Sequence, residues 1–169
     1  MRRLTVIFVA LASLVAPAAV LAAAQAAGDG SLVVKNGSAP AGTPVVALSI
    51  TGSVIGNIDH GRIVIDGGPN NPDSAKTPQI TGAEHCFTRD NETAQRCVGD
   101  KFSFRAVGGH YTVLLYGTGV NLVAVGSGTV RLAGMPDTPS GDGRYSLNDN
   151  DFVSLPGAQT DKLTIASNG

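Results

Sequence analysis

The stretch that most constrains the fold is residues 102–134, FSFRAVGGHYTVLLYGTGVNLVAVGSGTVRLAG, the longest apolar run after the N-terminus. Apolar residues alternate with polar ones in it, as Phe102 and Phe104 do with Ser103, and this period of two is typical of a strand with one buried face. Glycines interrupt the run every five or six residues, near the usual length of a strand. The stretch alone therefore predicts about four antiparallel strands.

Short breaks punctuate this stretch and an earlier apolar block. Gly108-Gly109 predicts a two-residue hairpin, and Asp59-His60-Gly61 predicts a turn. Alternation and run length predict mostly antiparallel strands at 45–50, 54–58, 62–66, 102–107, 111–116, 120–125 and 129–133. Shorter strands are predicted at 31–35, 144–147, 152–155 and 162–167.

The composition disfavours helices, because the chain has 22 Gly, nine Pro and no Trp. We therefore predict an all-β fold in which the two blocks pack face to face as a small antiparallel β-sandwich or barrel of short strands, with a β-solenoid as the alternative. The block at 45–68 aligns with residues 112–135 at an offset of 67 residues, with six identities in 24 positions. Either a duplicated unit or coincidence among glycine-punctuated strands explains this similarity.

The N-terminal residues 1–27 are predicted to form a secretory signal peptide. Two arginines precede an apolar run that breaks at Pro17, which is short for a membrane span of about 20 residues, and an Ala-x-Ala stretch follows. Cleavage near Ala24 to Ala27 would leave residues 28–169 as a single all-β domain. The predicted location is secreted and extracellular, with no membrane span in the mature chain.

The charge of the predicted mature chain is mildly acidic. Without the leader it has ten basic and thirteen acidic residues, and the basic ones are scattered singly. Nucleic acid or an anionic membrane would require a basic stripe. The sequence thus predicts no nucleic-acid partner.

Residues 67–100 form a long excursion between the two blocks, and they hold both cysteines of the chain. A loop of this length in a compact domain is often functional. In an exported chain, Cys86 and Cys97 are expected to form a disulfide that staples an exposed, polar hairpin. A zinc site using His85, Cys86 and Cys97 is the alternative, although it lacks the usual paired spacing.

Isolated residues are the only candidates for catalysis or metal binding. Asp59 and His60 are neighbours in a predicted turn, and Asp149 and Asp151 lie in an Asn/Asp run that lacks the Gly and distal Glu of a calcium loop. The sequence therefore predicts no cofactor, no metal and no catalytic residue.

The segments GTGVNLVAVGSGTVRLAG and GDGRYSLN resemble the uncharacterised exported Gly-rich β proteins of high-GC Gram-positive bacteria. The resemblance covers about a third of the mature chain. It implies an all-β fold and no known activity.

These observations predict a non-catalytic secreted β-domain that binds a cell-envelope component or a protein partner, chiefly through the excursion. The predicted contacts in its polar loop are Arg89, Asp90, Glu92 and Arg96. The alternative is a secreted hydrolase or lyase with a site assembled from distant residues. Its candidate residues are Asp59, His60, Arg105 and His110, and their convergence in one cleft would favour the enzyme.

Overall fold

The described part of the chain consists of β-strands joined by loops and turns. The computed structural model describes residues 29–67, 77–89, 92–136 and 143–166, and no helix occurs within these ranges. The predicted signal peptide lies outside the described residues. The strands are β1 (Gly30–Gly37), β2 (Val46–Asp66), β3 (Gln79–Thr81), β4 (His85–Thr88), β5 (Gln95–Thr118), β6 (Val120–Leu132), β7 (Arg144–Leu147), β8 (Val153–Ser154) and β9 (Leu163–Ile165).

All nine strands belong to one sheet, in the order β3-β5-β2-β6-β1-β7-β8, with β4 paired to β5 and β9 paired to β6. Every pairing is antiparallel. The predicted all-β, antiparallel fold is therefore confirmed in its sandwich-like form. The sheet does not close into a barrel, and its antiparallel ladders exclude the parallel β-solenoid.

β2 pairs twice with β5. At residues 60–65 it has β5 on both edges, so that Ile63 lies opposite both Cys97 and Leu115. Val46, near the start of β2, also lies opposite Leu115, on the other side of that residue. A strand of 21 residues would extend about 70 Å if it were straight, so β2 must curve back for both ends to flank one residue. The sheet consequently folds over a single hydrophobic core.

Two rows of glycines cross β2 where neighbouring backbones come closest. The rows are Gly109–Gly52–Gly126 and Gly99–Gly61–Gly117. A Cβ on Gly52 would lie 2.1 Å from the carbonyl oxygen of Val125, and one on Gly61 would lie 2.0 Å from that of Tyr116. Both glycines also have φ near +150°, at +152° and +154°. Only glycine permits such an approach in this conformation.

The hairpin predicted at Gly108-Gly109 is wrong, because β5 runs through it without reversing. Val107 lies opposite Ser53 and Gly109 lies opposite Gly52, which leaves Gly108 as an extra residue with φ +67°. It is a β-bulge, and the inserted residue shifts the buried face of β5 by one position.

The turn predicted at residues 59–61 is also wrong, because these residues lie within β2. The three strands predicted between 45 and 66 are one strand, and those predicted at 120–125 and 129–133 together form β6. The glycines that suggested breaks mark close approach between strands instead.

The core is apolar, and Tyr111, Phe102 and Phe104 are its largest fully buried side chains. The Tyr111 hydroxyl donates a hydrogen bond to the carbonyl oxygen of Val107 at 3.1 Å. The short strands predicted at 31–35, 144–147, 152–155 and 162–167 correspond to β1, β7, β8 and β9. The two similar blocks lie side by side, since residues 46–66 pair antiparallel with residues 112–132.

Candidate binding groove beside the stapled hairpin

A disulfide joins β4 to the first part of β5. Cys86 lies directly opposite Cys97 in the ladder, and their Sγ atoms are bonded at 1.98 Å. The predicted disulfide is confirmed, and with both sulfur atoms bonded to each other the zinc alternative does not apply. Among the described residues, no cluster of three or more His, Cys, Asp or Glu side chains could hold a metal ion.

The hairpin presents an apolar surface to solvent, although it has a covalent staple. All four residues of β4 are exposed. Phe87 is 52% exposed and Val98 is 42% exposed. Since Phe87 lies opposite Arg96 and His85 lies opposite Val98, their side chains project on one side of the sheet. We call the side chains of His85, Phe87 and Val98 the hairpin face.

The predicted contacts of the polar loop are only partly available for binding. Arg96 donates from Nη1 to Oε2 of Glu92, so the two charges neutralise each other. Arg89 is exposed, and its carbonyl accepts a hydrogen bond from the Glu92 backbone. Asp90 lies outside the described residues. The loop therefore offers less free charge than its sequence indicates.

His60 and Asp100 form a pair at the second glycine row. They lie opposite each other in β2 and β5, and Nδ1 of His60 hydrogen-bonds Oδ1 of Asp100. An ionised carboxylate is only an acceptor, so Nδ1 carries the proton and Nε2 faces away from the pair. The two side chains remain 76% and 60% exposed.

Arg62 lies one row further along the same side of β2. Its guanidinium stacks on the ring of Tyr116, with Cζ 4.1 Å from the ring centroid. Within the described ranges, Arg62 makes no ion pair with a carboxylate. It is thus a cation held in place by an aromatic ring, and no carboxylate of the described residues pairs with its donors.

The side chains of His60, Arg62 and Tyr116 form one wall of an open groove of about 540 Å³. Residues 39–43 form the opposite wall, and a turn closed by a hydrogen bond from Thr43 N to Pro40 O at 3.0 Å shapes them. His60, Arg62 and Val98 all line the groove. Because Val98 also belongs to the hairpin face, the groove and the hairpin form a continuous surface.

The residues of the alternative enzyme site do not converge. Nδ1 of His110 contacts Oγ1 of Thr51 at 3.1 Å, nine residues along β2 from His60. Arg105 lies opposite Ile55, between these two positions. Asp59 carries its carboxylate over Gly119, where an added Cβ would meet Oδ2 at 2.2 Å.

The acidic run after β7 forms a tight turn. Asp149 Oδ1 accepts a hydrogen bond from the Ser31 hydroxyl at 2.7 Å, and Asn148 Oδ1 accepts one from the backbone of Ala166 at 3.1 Å. Asn148 and Asp149 both have positive φ, at 52° and 60°. Apart from glycine, Asn and Asp tolerate this left-handed conformation best. These side chains tie the turn to the neighbouring chain segments.

The sequence singles out His60 but not its partner Asp100 or the neighbouring pair Arg62 and Tyr116. Their assembly depends on the register between β2 and β5, which no local pattern specifies. The one signal in the sequence is the alternation of polar residues at 60, 62 and 66 with the apolar Ile63 and Ile65.

Comparison of the chain with protein-family models, with curated proteins and with solved structures finds no match. No helix in the described part of the chain is long and apolar enough to cross a membrane.

Proposed function

We propose that the chain is an exported, non-catalytic binding domain, and that the hairpin face and the adjoining groove together contact a cell-envelope component or a protein partner. The observation that carries the proposal is the continuity of the two through Val98. A rigid, partly apolar surface with a few fixed polar groups is the usual make-up of a recognition site.

The disulfide supports binding by this surface because it fixes the edge strand that carries Phe87. A side chain that is already held in its bound position loses little conformational entropy on association. Exposed aromatic residues in such positions contribute strongly to binding energy. The Cys86–Cys97 bond thus preorganises the hairpin face.

Two independent features support export. Structural disulfides persist in oxidising compartments outside the cytosol, and the chain contains one. The leader-like composition of residues 1–27 agrees with this location.

The test is sedimentation of the purified domain with the insoluble envelope fraction of the source cells. The Phe87→Ser/Val98→Ser variant should lose at least about tenfold in retained protein, as expected for the loss of central apolar contacts. The matched control is Ile55→Ser/Val123→Ser, since Ile55 and Val123 are each 49% exposed and lie opposite each other elsewhere in the sheet. Equal retention of the hairpin variant and the wild type would reject the proposal.

The His60–Asp100 pair favours a second candidate, a secreted hydrolase or lyase in which His60 acts as a general base. A carboxylate that orients an imidazole is a recurrent part of catalytic sites. A hydrolase and lyase screen of the wild type, repeated with His60→Ala, tests it. Turnover that disappears in His60→Ala would favour the enzyme over the binding domain.

A further inference from the structure

We infer that the groove binds an acidic saccharide and that Arg62 holds its carboxylate. This inference rests on the proposed binding function and names the ligand class of the same surface. Three properties of the groove carry it, namely the state of Arg62, the balance of charge around it, and the absence of free backbone groups on its β-sheet wall.

The first property is that Arg62 is positioned before any ligand arrives. The Tyr116 ring holds its guanidinium, with 4.1 Å between Cζ and the ring centroid. In the described part of the chain no carboxylate pairs with it. A planar guanidinium offers a fork of donors that matches the two oxygens of a carboxylate. Arg62 is therefore a prepared receptor for such a group at the groove wall.

The second property is the balance of charge around Arg62. Arg96 in the next row is paired with Glu92, and the hydrogen bond from His60 leaves Asp100 with its negative charge. Among the described residues of these rows, Arg62 is the cation without a carboxylate partner. One cation with an acidic neighbour suits a single negative charge better than a doubly charged group. A carboxylate meets this requirement.

The third property is that the β-sheet wall can be recognised only through side chains. At residues 60–65, β2 is flanked by β5 on both edges, so its backbone groups are used in ladders. A peptide therefore cannot add as a further strand here. Sugars, in contrast, are held by hydrogen bonds from planar polar groups and by packing of their C–H faces on aromatic rings.

The groove supplies His60 as a polar group, and Asp100 is hydrogen-bonded to it. The two side chains remain 76% and 60% exposed, so His60 Nε2 and the second Asp100 oxygen are accessible to hydroxyl groups. Tyr116 supplies the aromatic ring beside them. The volume of about 540 Å³ lies within the range of small-ligand sites.

The experiment is an NMR titration of the intact, disulfide-bonded domain with defined probes. The probes are trigalacturonate, a hyaluronan tetrasaccharide, the methyl esters of both, and triglutamate. We expect at least one of the two acidic saccharides to bind and to shift the Arg62 side-chain and Tyr116 signals. Its methyl ester should bind at least about tenfold more weakly, since one charge-assisted hydrogen bond contributes about this factor. Triglutamate keeps carboxylates but lacks the sugar hydroxyl groups and C–H faces, so it should also bind at least about tenfold more weakly.

Variants then locate the carboxylate. Arg62→Gln should weaken the acidic saccharide at least about tenfold, and Arg62→Lys should weaken it less, because the charge remains while the fork is lost. The matched control is Arg105→Gln, an exposed arginine on another part of the sheet, which should bind as the wild type does. The NMR spectrum of each variant reports whether it is folded.

Several outcomes would overturn the inference. Equal binding of acid and ester would show that the groove does not recognise the carboxylate. Equal binding of triglutamate would show that the groove does not distinguish an acidic saccharide from an acidic peptide. The absence of binding by both acidic saccharides at about 10 mM would also reject it. The envelope sedimentation assay separates the two proposals. If retention depends on Phe87 but no acidic saccharide binds, the saccharide inference is rejected and the proposed binding function stands.

Discussion

The imidazole of His60 and the carboxylate of Asp100 meet across neighbouring strands, although 40 residues separate them in the chain. Their contact lies beside the glycine row of Gly61, where β5 flanks β2 on both edges. The pairing of two long strands thus places an oriented imidazole beside Arg62 at the groove. The groove thus has an oriented imidazole and a stacked guanidinium side by side.

We predict that Asp100 fixes the tautomer of His60. In the wild type at neutral pH, Nδ1 should carry the proton because the carboxylate accepts from it. In Asp100→Asn the ring should shift towards the Nε2–H form that predominates in free imidazole side chains. Long-range ¹H–¹⁵N spectra of His60 check this, and His85, an exposed histidine of β4, is the internal control.

The same substitution should change the free energy of unfolding by at most about 1 kcal/mol, because both side chains are largely exposed. Chemical denaturation of the wild type and Asp100→Asn measures the difference. An unchanged tautomer, or a loss of several kcal/mol, would contradict the role assigned to the pair.

We predict that the purified domain, isolated without reductant, contains no free thiol and is two hydrogen atoms lighter than the reduced chain. In Cys86→Ala/Cys97→Ala the free energy of unfolding should fall by about 3 kcal/mol on the chain-entropy model, since the bridged residues are 11 apart. Intact mass, thiol alkylation and denaturation test these statements. Two thiols that are alkylated without prior reduction would show that the bond is absent.

Reduction should loosen the hairpin before it affects the rest of the sheet. Among the described strands, β4 pairs with β5 alone, and its four residues are exposed, so few other interactions hold it. Hydrogen exchange should accelerate in β4, while β6 keeps its protection. Uniform acceleration through both strands would argue against this local role.

We predict that Gly52→Ala and Gly61→Ala each destabilise the fold by more than about 3 kcal/mol, because overpacking against a backbone adds to conformational strain. The added Cβ atoms would lie 2.1 Å and 2.0 Å from carbonyl oxygens. Gly42→Ala is the matched control, since φ there is +86° but no atom lies within 4 Å of the added Cβ. It should cost only about 1 kcal/mol, and equal losses for all three variants would argue against a role for close backbone approach.

We predict that Tyr111 contributes to stability mainly through its ring. Tyr111→Phe removes one hydrogen bond to Val107 and should cost about 1 kcal/mol. Tyr111→Ala empties a fully buried position and should cost about 3–5 kcal/mol. Tyr145→Ala, at a partly buried position beside the core, should cost less. Thermal unfolding of the four proteins gives the ranking.

The sequence predicted where strands occur better than where they end. Alternation of Phe102, Phe104 and Ala106 correctly placed the buried face of β5. Gly108-Gly109 predicts a hairpin because Gly-Gly is common in two-residue hairpin turns. The buried positions move from Ala106 to Gly109 and Tyr111, and this change of phase by one residue distinguishes a bulge in a continuous strand from a reversal.

The hairpin around the disulfide could be predicted because a chain with two cysteines allows one pairing. The groove could not, because it requires that His60 face Asp100 on one edge of β2 while Arg62 faces Tyr116 on the other. Such a register follows from how the sheet folds over its core, and it leaves only weak traces in the local sequence.

The position of β2 between β5 and β6 at residues 46–57 also constrains the order in which the chain can fold. Val46 needs both Leu115 and Leu132 as ladder partners, so long loops must close before the central strand has two neighbours, and folding of such non-local sheets is slow. A chain that stops before β6 leaves the edge of β2 at residues 46–57 open to association with other chains. Correct assembly therefore depends on β6 reaching that edge before another copy does.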